Sequence, residues 1–423
     1  MRIIFYLLVA GAAAVVSFVF SFVIWKLSSR YRLYPKIRER DVHTRPTPRL
    51  GGIAMFIGVV AAFMVASRLP QFEIVFSEPG RIFAILGAAL MIVLLGVADD
   101  IWDLDWVTKL AGQILAAGLI AWQGVQIATV PIPGEQLAVL PAFISLGLTI
   151  LVLVLVMNAV NFIDGLDGLV AGVAIIANSA FFIYAYVISY RPAEQSDYFN
   201  LAQFISAVLI GVCAGFLPLN WHPARLFMGD AGALLVGLLM ATSAIAITGQ
   251  IDFATIDGPQ RLLPAFSIAI LIPFAILIVP LLDFGLAVLR RLRAGKSPFT
   301  ADRMHLHHRL LDMGHSHLHA VLIFYAWTAV ASYGSLLLLV TDWWWAALAT
   351  GVGLIVCTIV TLAPLSRRKA VEVAVQSASP ELTAEAQVEQ FDPLDAAAVG
   401  ESEPSPAEAE DALERLHEKE EAT

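Results

Sequence analysis

The chain has 423 residues, of which 59% are hydrophobic and 14% charged, and its mean hydropathy is +0.78. Soluble domains are roughly 45–50% apolar and about 25% charged, so this composition excludes a soluble globular protein and predicts a polytopic membrane protein. The two cysteines, Cys213 and Cys357, lie in apolar runs and imply no disulfide framework.

The net charge of −9 is distributed unevenly. Residues 370–423 carry a net charge of −13, so the remaining chain carries +4. This tail is rich in Ala, Glu, Pro and Ser with almost no aromatic residues, which is typical of a disordered segment. We predict a membrane-embedded domain over residues 1–365 and an acidic, disordered cytoplasmic tail over 366–423.

Apolar runs predict an all-α fold of about eleven transmembrane helices, because each run approaches the ~20 residues that a bilayer requires. The runs are 3–25, 50–69, 82–98, 109–126, 138–158, 168–189, 200–219, 231–249, 263–288, 319–340 and 343–364. With the N-terminus outside, 21 of the 26 Lys and Arg residues fall on the cytoplasmic side. This distribution obeys the positive-inside rule and predicts a cytoplasmic C-terminus.

Five polar segments fall on the predicted cytoplasmic side, and the outer connections contain nothing comparable. They are residues 41–52, 98–109, 158–169, 220–232 and 297–310. Segments that converge on one face predict a single active site for a cytosolic substrate.

The segment NAVNFIDGLDGL follows a long apolar run. It contains the four polar residues Asn158, Asn161, Asp164 and Asp167. Polar groups this dense beside a membrane segment need water, a metal or a substrate. Gly165 and Gly168 indicate that the helix ends here and that a loop gathers these groups on one side.

Asp99 and Asp100 follow another apolar run. Adjacent carboxylates repel unless a cation or a proton lies between them, which favours metal-linked or acid–base chemistry on phosphate. The alternative is a helix N-cap with a first-turn acid. Lys109 could hold a phosphate, or it could be an interfacial lysine.

In FMGDAG, Asp230 stands between two glycines at the predicted start of a helix. Mg²⁺ commonly takes one or two protein oxygens plus substrate phosphates, and Asp230 with Asn161 fits that pattern. Phe227 could stack on a base or pack in the interface. Asn220 could reach a base edge or cap a helix.

The cluster MHLHHR contains His305, His307, His308 and Arg309. Its spacing differs from common zinc sites, and imidazoles with a guanidinium suit a pyrophosphate and sugar hydroxyls. The following histidines of this loop, His317 among them, are interpreted as bystanders.

The basic segment DVHTRPTPRLGG contains Arg45 and Arg49. These side chains could form a dedicated site for a lipid phosphate, or they could bind anionic headgroups non-specifically.

These motifs, in this order, resemble the polyprenyl-phosphate N-acetylhexosamine-1-phosphate transferases over about residues 1–365. The resemblance implies transfer of a sugar-1-phosphate from a UDP-sugar to a polyprenyl phosphate with release of UMP, as the first membrane step of a cell-envelope polysaccharide pathway. It implies Mg²⁺, or Mn²⁺ in its place, as cofactor, a bacterial plasma membrane location with a cytoplasmic active site, a homodimer and no nucleic-acid partner.

The resemblance also implies residue roles. Asp99 and Asp100 match paired aspartates near the lipid phosphate, Asp230 matches the metal aspartate, and Asn161 matches the asparagine beside the metal. Asp164, Asp167, Asn220 and Phe227 match positions that line the nucleotide pocket, and Lys109 resembles a phosphate-contacting lysine. Asn158 is a further predicted substrate-binding residue. The form HxHHR is similar to the N-acetylglucosamine branch, which takes UDP-GlcNAc and undecaprenyl or decaprenyl phosphate.

Three alternatives stay open at this point. The donor could be another UDP-N-acetylhexosamine or UDP-MurNAc-pentapeptide. The reaction could proceed by one in-line attack or through a phospho-aspartyl intermediate. A membrane transporter is the non-enzyme alternative, although its acids would lie near the bilayer midplane instead of at helix ends.

Overall fold

The computed structural model describes residues 2–31, 47–130, 138–189, 197–248, 271–295 and 306–362. The predictions for Arg45, His305, the side chain of His307 and the tail 366–423 lie outside the described residues. The described elements, in chain order, are α1 (Arg2–Tyr31), α2 (Gly51–Ala66), a 3₁₀ turn (Pro70–Phe72), α3 (Glu73–Phe76), α4 (Pro79–Trp102), α5 (Trp106–Trp122), β1 (Thr129–Val130), β2 (Ala138–Val139), α6 (Ala142–Ile163), α7 (Leu169–Ser189), α8 (Asp197–Asn220), α9 (Gly229–Thr248), α10 (Ile272–Ile276), α11 (Ile278–Arg293), α12 (Leu306–Asp312), α13 (His317–Leu337) and α14 (Trp343–Leu362).

The predicted helical membrane fold is confirmed, but the count of eleven transmembrane helices is not. Within the described ranges, eight helices are long and apolar enough to cross a membrane, or nine if a bent pair counts as one. In that pair the chain turns by 102° between α2 and the segment Pro70–Phe76. The helix α5 has only 17 residues, and the ninth predicted run is described only from residue 271 onward, as the short α10 and then α11.

Helix α9 lies at the centre of the described bundle and packs against α2, α4, α6 and α8. Its sequence, GDAGALLVGLLMATSAIAIT, is rich in small residues, and nearly all of it is buried. Lipid tails are as apolar as leucine, so membrane helices associate by close packing, and small residues allow their backbones to approach. Asp230, in the first turn of α9, is therefore enclosed by the ends of the neighbouring helices.

Two glycines fix the closest approaches to α9. A Cβ on Gly96 of α4 would overlap the backbone of Ala231, and a Cβ on Gly52 of α2 would overlap Gly232. Because only glycine fits at these positions, α2 and α4 meet α9 at its first turn. Gly96 lies one turn before the paired aspartates of α4, so this contact brings those aspartates next to Asp230.

The strands β1 and β2 form an antiparallel hairpin that pairs Thr129 with Val139. The hairpin follows α5 and precedes α6, so it lies at the end of the bundle opposite to the polar loops. The described polar segments therefore occupy one end of the bundle, as the sequence predicts.

Candidate active site

A lysine and two aspartates from three helices form the centre of the candidate site. Lys109 Nζ of α5 lies 2.5 Å from Asp99 Oδ2 of α4 and 3.7 Å from Asp230 Oδ2 of α9. The two carboxyl groups are also within hydrogen-bonding range of each other. Carboxyl groups this close require a proton or a cation between them, and the single ammonium group supplies part of that charge.

Asp99 is held rigidly by the loop that follows it. Its side chain is 4% exposed, and its Oδ1 accepts a hydrogen bond of 2.8 Å from the backbone N–H of Leu104. Asp103 ends α4 with a left-handed backbone, φ 53°, and its N–H donates to the Asp99 carbonyl. The turn therefore fixes the Asp99 carboxylate against Lys109.

Asp105 has a structural role as the N-cap of α5. Its carboxylate accepts hydrogen bonds from the N–H groups of Val107 and Thr108 and from the Thr108 hydroxyl. The Thr108 hydroxyl and these backbone donors hold the pKa of Asp105 below its ordinary value. Asp105 is exposed, and it positions the first turn of α5, which carries Lys109.

Asp100 brings a third carboxylate to the same place. Its Oδ2 is buried and has no hydrogen-bond partner. The charged groups around it are Asp230, Arg49, Asp99 and Asp164. A buried carboxylate oxygen without a donor is costly, so this atom points to a ligand that supplies positive charge.

The segment before α2 carries Arg49 into the site. The N–H groups of Gly51 and Gly52 donate to the carbonyls of Phe227 and Met228, each at 2.9 Å. The Phe227 N–H in turn donates to the Pro48 carbonyl at 2.9 Å. These three hydrogen bonds form a ladder between the segment before α2 and the segment before α9.

Gly229 follows this ladder with a φ of +66°, and a Cβ there would meet the Arg49 carbonyl and the Asp100 carboxylate. Glycine is required at this position both for its backbone angle and for the space it leaves. The ladder and this glycine together bring Arg49 and Asp100 into one site.

The end of α6 supplies two asparagines with different surroundings. The Asn161 amide hydrogen-bonds the Asp230 side chain, so the two residues predicted to hold a metal ion are neighbours. The Asn158 amide donates to Gln113 Oε1 at 2.5 Å and to the Val154 carbonyl at 2.8 Å. Asn158 was predicted to bind substrate, and these two hydrogen bonds link it to α5 and to its own helix.

The DGLDG loop between α6 and α7 is tied to the segment between α8 and α9. Asn220 Oδ1 accepts from the Gly168 N–H at 3.0 Å, and its Nδ2 donates to the Leu226 carbonyl at 3.1 Å. Asp167 Oδ2 accepts from the Ala224 N–H at 3.0 Å and lies 2.8 Å from His222 Nδ1. Two predicted nucleotide-binding residues, Asn220 and Asp167, therefore join the two loops and are almost fully buried.

The remaining predicted residues occupy two places. Phe227 and Asp164 are half-buried, in the α2 ladder and at the end of α6 respectively. His308 and Arg309 lie on α12, where Arg309 lines a cavity of about 240 Å³. The other lining residues are Asp283, Leu286, Leu289, Arg290, Arg293 and Leu306.

Two features of the site were missed in the sequence. His222, inside the quoted segment 220–232, pairs with Asp167 and stacks on His317, with ring centroids 5.2 Å apart and planes 8° apart. His317, interpreted from the sequence as a bystander, therefore packs against a residue of this segment. The Tyr325 hydroxyl of α13 donates to the Gly168 carbonyl at 2.5 Å, a contact between distant positions that no local pattern indicates.

Comparison with known proteins identifies the family to which the chain is similar. Residues 82–248 match the model of glycosyl transferase family 4. The chain is 40% identical over 363 residues to the decaprenyl-phosphate N-acetylglucosaminephosphotransferase of Mycolicibacterium smegmatis, covering 85% of this chain and 89% of the relative. The chain therefore belongs to glycosyl transferase family 4, and it is a multi-pass membrane protein.

Relatives in other bacteria extend the likeness. The chain is 35% identical to a probable undecaprenyl-phosphate N-acetylglucosaminyl 1-phosphate transferase of Bacillus subtilis, over 68% of this chain and 72% of the relative. It is 30% identical to a phospho-N-acetylmuramoyl-pentapeptide-transferase of Halalkalibacterium halodurans, over 70% of this chain and 84% of the relative.

Proposed function

We propose that this protein transfers N-acetylglucosamine-1-phosphate from UDP-GlcNAc to a polyprenyl phosphate, giving polyprenyl-diphosphate-GlcNAc and UMP. The observation that carries the proposal is the cluster in which Lys109 lies beside Asp99 and Asp230, with Asp100 adjoining. The names of the mycobacterial and Bacillus relatives support polyprenyl phosphate as acceptor and N-acetylglucosamine phosphate as the transferred group.

The side-chain oxygen atoms of the site fit a magnesium ion as ligands. Asp99 and Asp230 lie beside Lys109, and Asp100 is surrounded by Asp230, Arg49, Asp99 and Asp164, so carboxylate oxygens are gathered at one place. The described residues contain no group of three or more His, Cys, Asp or Glu side chains arranged to hold a metal ion. Mg²⁺ is usually bound by one or two carboxylates together with substrate phosphates, and it is the pyrophosphate that would complete such a site.

Asp230 and Asn161 would hold the ion, and Mn²⁺ could take its place. When bound, the ion would supply positive charge that neutralises the pyrophosphate. Lys109 and Arg49 add fixed positive charge beside the same phosphates, so that two anionic substrates can approach each other.

The chemical step is proposed as one in-line displacement. An oxygen of the polyprenyl phosphate attacks the sugar-linked phosphorus, the bond between that phosphorus and the bridging oxygen breaks, and UMP leaves with the bridging oxygen. A phosphate monoester has its second pKa near 6, so the acceptor is largely dianionic at pH 7 and needs little help from a base. Asp99 is occupied by Lys109 and Leu104, so Asp100 is the carboxylate that would position the acceptor.

The site is proposed to face the cytoplasm of a bacterial cell, where UDP-sugars are made. The sequence supports this orientation, because the predicted alternation of spans assigns 21 of the 26 Lys and Arg residues to the cytoplasmic side. The HxHHR segment, His305 to Arg309, supports UDP-GlcNAc over UDP-MurNAc-pentapeptide by its resemblance to the N-acetylglucosamine branch.

The test is a donor comparison with the purified full-length protein. It is incubated with Mg²⁺, decaprenyl phosphate and, in separate reactions, UDP-GlcNAc, UDP-GalNAc or UDP-MurNAc-pentapeptide, and UMP and lipid-linked sugar are measured. We expect equal amounts of UMP and lipid product from UDP-GlcNAc, and at least tenfold less from the other donors. Equal turnover of UDP-MurNAc-pentapeptide would contradict the donor assignment, and lipid product with release of UDP would contradict the reaction.

A further inference from the structure

Helix α12 carries part of the HxHHR segment and is too short to be stable by itself. It has seven residues, Leu306–Asp312, and includes His308 and Arg309. Isolated helices shorter than roughly 12–15 residues are marginal in water, so contacts with other elements must fix the position of α12. The structure provides such a contact at each end of the helix.

At its first residue, α12 is held by a carboxylate of α11. Asp283 is buried, and its Oδ1 accepts a hydrogen bond of 2.8 Å from the Leu306 N–H. The first four N–H groups of a helix have no partner inside it, and a buried donor without a partner costs free energy. Because the two residues are 23 positions apart in the chain, this hydrogen bond fixes where α12 begins relative to α11.

The residue after Asp283 ties α11 to the helix that carries Asn161. The rings of Phe284 on α11 and Phe162 on α6 pack edge to face, with centroids 5.1 Å apart and planes at 86°. Arg291 Cζ of α11 lies 5.2 Å from the centre of the Phe162 ring, as a cation–π contact. Phe162 follows Asn161 directly in the chain, so α11 is held against the end of α6 that forms the candidate site.

At the other end, α12 is held by the segment that leads into α13. Gly314 has a φ of +96°, and the His315 N–H donates to the Leu310 carbonyl at 3.1 Å, which closes the last turn. The buried His315 ring lies with Nε2 3.0 Å from the Thr361 carbonyl of α14. The helix is therefore attached to α11 at its start and to α14 just after its end.

Asp283 and Arg309 line the same cavity, which adjoins both α11 and α12. Arg290 and Arg293 line it too, so two roles for Asp283 are conceivable. Its oxygen could position α12, or its negative charge could offset the guanidinium groups. The hydrogen bond to the Leu306 N–H favours the first role. Arg309 lies three residues after Leu306, less than one turn of helix, so a shift at this hydrogen bond would move Arg309 as well.

We propose that Asp283 is a positioning residue for sugar-phosphate transfer. By accepting the Leu306 N–H it fixes α12, and with it His308 and Arg309, relative to the end of α6 that carries Asn161. This inference rests on the proposed function for the pyrophosphate that His308 and Arg309 would meet. Asp283 acts through α12 without touching substrate, and the reaction requires its oxygen acceptor rather than its charge.

The test removes each partner of the hydrogen bond in turn. Asp283→Ala removes the acceptor, whereas Asp283→Asn keeps an oxygen and removes only the charge. Leu306→Pro removes the donor, and proline is tolerated at the first position of a helix. Leu306→Ala is its matched control, because it loses the side chain but keeps the N–H. In the purified full-length proteins, hydrogen–deuterium exchange of residues 307–312 reports the attachment of α12, and kcat and the melting temperature are measured alongside.

We expect Asp283→Ala and Leu306→Pro to speed exchange in residues 307–312 about tenfold and to lower kcat about tenfold or more, because displaced groups are poorly placed for reaction. Asp283→Asn should exchange like wild type and keep kcat within about threefold of it, because it still accepts the hydrogen bond. Leu306→Ala should lie between wild type and Leu306→Pro in both measurements.

Two further results are expected if one hydrogen bond explains both substitutions. The double variant of Asp283→Ala and Leu306→Pro should be no slower than the poorer single variant, because both changes remove the same contact. The melting temperature should change little in every variant, because α12 forms only about two turns of the bundle.

The outcomes distinguish this inference from the proposed function. If Asp283→Asn loses as much activity as Asp283→Ala while residues 307–312 exchange at the wild-type rate, the charge is what matters and the inference is overturned. Wild-type exchange in Asp283→Ala would overturn it as well, and so would faster exchange with an unchanged kcat. If wild type transfers no sugar phosphate, yet Asp283→Ala and Leu306→Pro loosen α12 and Asp283→Asn does not, the anchor stands and the proposed function fails.

Discussion

At the scale of single residues, the described part of the site brings three carboxylates close together. Asp99, Asp100 and Asp230 come from two helices that touch through glycine, and Lys109 bridges two of them. Such an arrangement is stable only with added positive charge or protons. Carboxylates that repel each other in this way favour the binding of a cation and of the phosphates that accompany it.

Asp230→Asn tests this reasoning. The amide keeps the size of the side chain but removes the charge that would hold the ion, so transfer of N-acetylglucosamine phosphate should fall about a hundredfold or more. Because one of several repelling carboxylates is removed, the melting temperature should stay the same or rise. Asp103→Asn is the control: it makes the same substitution on the loop after α4, where asparagine accepts the left-handed backbone, and it should retain activity. Wild-type turnover by Asp230→Asn would exclude this carboxylate from catalysis.

The loop that carries Asp164 and Asp167 depends on a hydroxyl from another helix. Tyr325→Phe removes the hydrogen bond to the Gly168 carbonyl, which still accepts from the Gly172 N–H. We expect a loss of about 1 kcal/mol in unfolding free energy and a several-fold rise in the KM of UDP-GlcNAc.

Tyr333→Phe is the matched control for this variant, because it removes an exposed hydroxyl of the same helix that pairs with Ser179 at 2.6 Å. Thermal denaturation and steady-state kinetics give both values. Identical behaviour of the two variants would show that the Tyr325 contact does not support the loop.

At the scale of elements, the contact between α4 and α9 determines how far Asp99 and Asp100 of α4 lie from Asp230 of α9. Gly96→Ala introduces a methyl group where the Ala231 backbone lies, so α4 must shift away from α9. We expect kcat to fall about tenfold or more, since the carboxylates no longer meet at their required separation.

Gly87→Ala is the control on the same helix, because its methyl group would touch only the Leu119 side chain at 3.4 Å. Alanine is a better helix former than glycine, so this variant should be as stable as wild type or more so. Equal activity of the two variants would contradict the importance of the close approach at Gly96.

Sequence patterns predicted the ends of these elements better than their contacts. The glycines of DGLDG correctly indicated that α6 ends before residue 165, and the polar segments correctly indicated a shared end of the bundle. The partners of Asn158, Asp167 and Asn220 could not be predicted, because each depends on a residue many positions away in the chain. Local spacing carries no information on such contacts, whereas hydrophobic length and turn residues act locally.

At the scale of the whole molecule, the fold predicts which loops share a side of the membrane, because successive spanning helices cross it in opposite directions. Trp102 and Trp221 lie in exposed positions at the site end of the bundle, and Val139 is exposed in the hairpin at the other end. Single cysteines at these positions, in a chain whose own Cys213 and Cys357 are buried, should react with a membrane-impermeant maleimide in two groups.

In intact cells the cysteine at Val139 should be labelled, and those at Trp102 and Trp221 only after the membrane is opened. A denatured sample, in which all three must react, controls for reactivity. Labelling of Trp102→Cys and Trp221→Cys from opposite sides would be incompatible with a single site at one face.

The central claim is that a phosphorus–oxygen bond of the donor breaks, so that phosphate travels with the sugar. UDP-GlcNAc labelled with ³²P at the phosphate next to the sugar, incubated with decaprenyl phosphate and the full-length protein, tests it directly. The account predicts that the label moves into the lipid product and that the released UMP is unlabelled. Label recovered in UDP, with unlabelled phosphate in the lipid, would mean that the sugar alone is transferred and would contradict the account.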